Sequence, residues 1–72
     1  MRANILRAKM VEAGYNQRTL AKKINISENT LSNKLNGNRA FDVDEVVSIC
    51  AVLNINSDEE KAYIFLSEAS QK

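Results

Sequence analysis

Bond-making chemistry has little to work with in this chain. It holds no histidine and one cysteine, Cys50, which removes the commonest general base and leaves no thiolate pair for a metal or a disulfide. The carboxylates fall near helix starts, where capping accounts for them. No catalytic residue, metal site or cofactor is expected, and the chain is not read as an enzyme. Cys50 lies among Val46, Val47, Ile49 and Leu53, as a small buried apolar residue would. Hydrogen-bonding chemistry, by contrast, is concentrated in residues 17–36, QRTLAKKINISENTLSNKLN. Asn29 and Asn33 are four apart there, which places them on one helix face with Ser32 at its edge. Asn29, Asn33 and Asn36 are poor choices for helix stability alone, so something other than propensity places them.

The same stretch shows how those amides are positioned. Leu20 and Ile24 are four apart, as are Leu31 and Leu35, so each pair lines one face of its own short helix. Between them, Ile24-Asn25-Ile26-Ser27 supplies a turn: Asn tolerates the left-handed conformation, and Ser caps a new helix. Two amphipathic helices joined by a three-to-four-residue turn have the geometry that presents the second helix to a DNA major groove. Ala21 is small where the two helices must cross closely.

Net charge is +1, which is uninformative until the chain is divided. Residues 1–40 carry eight cations (Arg2, Arg7, Lys9, Arg18, Lys22, Lys23, Lys34, Arg39) against Glu12 and Glu28, giving +6. Residues 41–72 carry Lys61 and Lys72 against seven carboxylates (Asp42, Asp44, Glu45, Asp58, Glu59, Glu60, Glu68), giving −5. The positive field therefore lies on the half that holds the two-helix motif.

The chain reads as one domain over residues 1–72, with a core over about residues 3–66 and a short C-terminal tail. Its 44% apolar content, two Gly and no Pro suit a compact all-α fold. No apolar run approaches the roughly 18–20 residues of a membrane span, and no signal-like leader opens the chain, so a cytoplasmic location is expected. A first helix is expected over residues 3–13, with Gly14 as its stop. A second follows an Asn16 cap. The third follows Ser27 and ends at Asn36-Gly37. Asp42 with Glu45 approximates a capping box for a fourth helix, whose apolar stripe is read as Val43, Val46, Val47, Cys50 and Leu53. Ser57 with Glu60 repeats the pattern for a fifth, running to Ala69. Tyr63, Ile64, Phe65 and Leu66 are apolar all round, wider than one core stripe. They are read as helix and as a dimer or partner surface, although a four-residue apolar run also fits a short strand.

With these residues in view, the chain resembles the Cro/repressor-type (XRE-like) helix-turn-helix family of bacteria and their phages, and looks most like the small phage Cro-like proteins. The resemblance rests on Gly14-Tyr15-Asn16-Gln17, Leu20-Ala21, Ile24-Asn25-Ile26-Ser27, Thr30-Leu31-Ser32 and Asn36-Gly37. It implies a five-helix, lambda-repressor-like DNA-binding domain with the helix-turn-helix formed by helices 2 and 3. Two departures stand out. Asn25 replaces the usual turn glycine, at modest cost. Leu35 replaces a glutamate that commonly precedes the Asn-Gly pair, and is read as core, leaving Lys34 to reach solvent or phosphate.

Carried onto this chain, the family's pattern makes Ser27, Glu28, Asn29 and Asn33 the candidates for reading base edges. Asn can pair with adenine, Ser with several bases, and Glu can accept from cytosine, although Glu28 serves equally as a stabiliser of the helix N-terminus. The DNA-backbone candidates are Gln17, Arg18, Ser32, Lys34, Asn36, Asn38 and Arg39. Lys22 and Lys23 are read as solvated surface. The implied partner is double-stranded operator DNA, bound by a homodimer acting as a transcriptional repressor at the bacterial nucleoid. The alternative is an antirepressor of the same fold that docks onto a larger phage repressor, since a fold does not fix a function.

Overall fold

A computed structural model describes residues 1–66 of the chain. Five helices follow one another: α1 (Ala3–Glu12), α2 (Gln17–Lys23), α3 (Glu28–Leu35), α4 (Val43–Val52) and α5 (Asp58–Phe65). No strand occurs among the described residues. The expected extension of α5 to Ala69 lies outside them.

The helix boundaries are set by polar side chains that satisfy otherwise orphaned N–H groups. Asn16 accepts from the Thr19 N–H at 2.8 Å, and Thr19 Oγ1 accepts from the Asn16 N–H at 2.9 Å, a reciprocal box at the start of α2. Asp42 and Glu45 form the box expected for α4. Ser57 caps α5 by accepting from the Glu60 N–H at 3.2 Å, but the expected box does not close. The Glu60 carboxylate turns instead to Lys9 Nζ of α1, 2.6 Å away, because an ammonium outcompetes a neutral backbone N–H. Side-chain hydrogen bonding to Glu60 raises the Lys9 pKa above its ordinary value.

Leu6, Met10, Leu20, Ala21, Leu31, Leu35, Ile49, Cys50, Leu53, Ile55 and Ile64 form a single core. Leu35, in place of the family's customary glutamate, is 1% exposed. Burial pushes the Cys50 thiol pKa up, as expected of an inert core cysteine. The α4 stripe differs from its sequence reading. Val43 and Val47 are 77% and 61% exposed, while Ile49 is fully buried. Packing of α4 on the core turns Ile49 inward beside Val46, Cys50 and Leu53 and leaves Val43 and Val47 outside. Ile64, read as partner surface, is likewise completely buried. Its carbonyl accepts from the Arg2 N–H at 2.7 Å, which ties the start of the chain to α5.

Candidate nucleic-acid interface

The turn between α2 and α3 forms as its residues require. Asn25 adopts φ of +67°, affordable for an asparagine. The Ile26 N–H then returns to the Ala21 carbonyl at 2.9 Å. Ala21 is 1% exposed and Leu20 and Leu31 are fully buried, so the two helices lock through small and branched apolar side chains. Ser27 Oγ accepts from the Thr30 N–H at 3.0 Å and lies 2.7 Å from Thr30 Oγ1. The Ser27 hydroxyl is therefore engaged in capping, yet the residue remains exposed.

Beyond that cap, the outward face of α3 is chemically open. Glu28 and Asn29 are exposed and Asn33 is half-buried. Among the described residues, none of their side chains has a hydrogen-bond partner within the protein. Across the turn, Arg18 and Lys22 line a shallow depression together with Asn25, Ser27 and Glu28, so cations of α2 stand beside the start of α3. Gln17 is the first residue of α2, directly after the Asn16 cap, where α2 presents its N-terminal N–H groups.

The other end of α3 is built differently. The Gly37 N–H returns to the Lys34 carbonyl at 3.2 Å and the Asn38 N–H to the Asn33 carbonyl at 2.9 Å. Gly37 takes φ of +85° to allow it. Asn38 and Arg39 stand exposed on the loop that follows. Asn36 Oδ1 accepts from Arg7 Nη2 of α1 at 2.9 Å, and its Nδ2 lies 3.5 Å from Ser32 Oγ.

Lys34 corrects its sequence reading. It is 5% exposed, and its ammonium is paired with Glu45 Oε1 of α4. The same oxygen accepts from the Asp42 N–H at 3.0 Å, and the ammonium sits 5.9 Å from the centroid of the Phe41 ring. Lys34 therefore does not reach out to phosphate. Its long stem reaches the start of α4 and closes the loop between α3 and α4, a use that one sequence position does not reveal. Arg7 was the converse omission. Its charge counted toward the basic half, but a partner 29 residues away leaves no periodic signal.

The proposed partner surface at the end of α5 divides. Ile64 is core, and Phe65 packs edge-on against Phe41, with centroids 6.0 Å apart and planes at 89°. Tyr63 and Leu66 are exposed, the former beneath the Arg2 guanidinium at 4.3 Å. Leu66 joins the exposed Val43 and Val47 along a groove of about 580 Å³ floored by Phe41, Val46 and Phe65. No group of His, Cys, Asp or Glu among the described residues could hold a metal ion. None of the helices described is long and apolar enough to cross a membrane.

A capped helix with a free polar face, held across a tight turn by a shorter helix with basic flanks, defines a helix-turn-helix domain. A family model described as helix-turn-helix matches residues 6–59, 54 of the 72 residues. The chain belongs to this family, the Cro/XRE-like helix-turn-helix proteins, which are DNA-binding regulators and not a family of enzymes. No curated protein and no solved structure matches it.

Proposed function

We propose that this DNA-binding regulator is sequence-specific and reads operator DNA with α3 in the major groove, as a homodimer. The observation that carries the reading is the pair of amides on Asn29 and Asn33. They lie on one face of α3, and no group among the described residues uses them, while the opposite face holds Leu31 and Leu35 in the core. Amide side chains so placed can pair with adenine edges. Glu28 and Ser27 stand beside them at the helix start. Gln17 and Arg18 before the turn, with Ser32, Asn36, Asn38 and Arg39 toward the far end of α3, are assigned to the phosphates.

A dimer follows from the small footprint of one motif, which covers a single half-site. The groove that gathers Val43, Val47 and Leu66, with Tyr63 close by in the chain, is the surface assigned to it. The regulator would repress by occupying a site that overlaps a promoter. The same apolar groove also supports the second reading, an antirepressor that docks a larger repressor.

Selection of bound duplexes from a random pool, at low and near-physiological salt, separates the two. Operator binding predicts a palindromic consensus that survives the higher salt, with half-sites about one helical turn, roughly 34 Å, apart. Sequence-blind binding that disappears with salt would reject operator reading and leave the groove as the functional surface.

A further inference from the structure

We infer that Arg7 of α1 is a phosphate-binding residue of the DNA interface, aimed by Asn36. This inference rests on the DNA-binding reading above and extends the interface to a helix outside the two-helix motif. Arg7 and Lys9 are two residues apart, about 200° around a helix, so they lie on opposite flanks of the stripe that buries Leu6 and Met10. The two flanks are treated differently. Lys9 is neutralised by Glu60. Arg7 meets only the neutral Oδ1 of Asn36, and no carboxylate pairs with it among the described residues.

A guanidinium with a neutral partner keeps its whole charge available to an external anion. One of its five N–H donors goes to Asn36, and among the described residues nothing uses the others. The amide fixes the direction of the planar fork, which suits two phosphate oxygens better than a lysine ammonium would. The location fits as well. Asn36 terminates α3, and exposed Asn38 and Arg39 follow it in the chain, so Arg7 adds a cation to the end of the recognition helix from a different element. A purely structural role is the competing account, since a cation near a helix C-terminus is itself stabilising.

The test measures binding to a pool-selected duplex and to random duplex between roughly 50 and 200 mM salt. The proteins compared are the wild type, Arg7→Gln, Arg7→Lys and Lys9→Gln, with a thermal unfolding curve for each. Arg7→Gln should weaken both duplexes alike and reduce the log–log salt slope by about 0.9, the loss of one phosphate. Arg7→Lys should restore the slope but not the full affinity, because the charge returns without the fork. Lys9→Gln removes the same charge from the opposite flank and should leave the slope unchanged. An Arg7→Gln protein with wild-type slope and a lowered unfolding midpoint would overturn the inference and make Arg7 a structural cap. Equal slope losses from Arg7→Gln and Lys9→Gln would overturn it too, as generic field. A wild-type chain that binds no duplex at any salt would instead reject the DNA-binding reading itself, a result distinct from either.

Discussion

The two ends of α3 are built on opposite principles. At the N-terminal end, Ser27 caps the helix and Glu28 and Asn29 then point into solvent with no protein partner among the described residues. At the C-terminal end, every polar side chain from Lys34 to Asn36 is engaged. Lys34 pairs with Glu45 of α4, and Asn36 receives Arg7 of α1. Leu35 between them is core. One end thus presents open hydrogen-bonding capacity, and the other fixes where that capacity points. A recognition element needs both, because an amide pair discriminates between bases only when its helix is held at a defined angle to the groove.

The largest effect is therefore expected where no nucleic acid is touched. Glu45 Oε1 takes both the Lys34 ammonium and the Asp42 N–H, so Glu45→Ala leaves a 5%-exposed lysine without its counter-ion and removes the side-chain half of the α4 capping box. Removing one partner of a buried pair costs about 3–5 kcal/mol, and the midpoint of chemical denaturation should fall accordingly. Lys34→Met keeps the volume and leaves the charge on Glu45, the less buried partner, which still accepts from the Asp42 N–H, so it should cost less. If the two substitutions cost the same, the pair is not a buried ionic tie and the contrast between the ends of α3 weakens.

A smaller effect, of a different kind, is expected at the open end. Asn29→Ala with Asn33→Ala should remove about 1–3 kcal/mol of base discrimination for each contact, measured as the ratio of selected to random duplex affinity. The unfolding midpoint should stay near the wild-type value, since neither amide has a partner to lose among the described residues. A double variant that keeps its sequence preference would move the reading surface away from α3. A double variant that unfolds would show that the open end is structural after all.

How much of this was legible beforehand depended on the range of the interaction. Caps and turns are local, and Asn16, Ser27, Asp42 and Gly37 act within three or four residues of themselves, so their types and spacing were sufficient to place five helices. The core face of α4 was misread because Val43 and Val47 are as apolar as Ile49, and only helix rotation against the core separates them. The run at Tyr63, Ile64, Phe65 and Leu66 had the same degeneracy: it is apolar on all sides, and tertiary packing alone selected Ile64 as the buried member. Lys34 and Arg7 failed for the deeper reason. Each is defined by a partner on another helix, 11 and 29 residues away, and hydrophobic periodicity carries no information about where a long cationic side chain will end.

Arg39 now tests whether the tied end of α3 stops at structure or continues into the interface. It is exposed, carries no ion pair among the described residues, and follows the Gly37 turn that closes α3. Nothing in the fold is lost by truncating it, so Arg39→Ala should leave the unfolding midpoint unchanged. Its expected effect is the smallest considered: a salt slope lower by about 0.9, equivalent to roughly a threefold smaller change in affinity between 50 and 200 mM salt, with selected and random duplexes affected alike. A loss confined to the selected duplex would mean that Arg39 reads a base, and the division of α3 into a reading end and a fixing end would have to be redrawn. No loss in either duplex would place the backbone contacts on the Arg18 side of the motif, and the DNA would lie across α3 nearer its N-terminus.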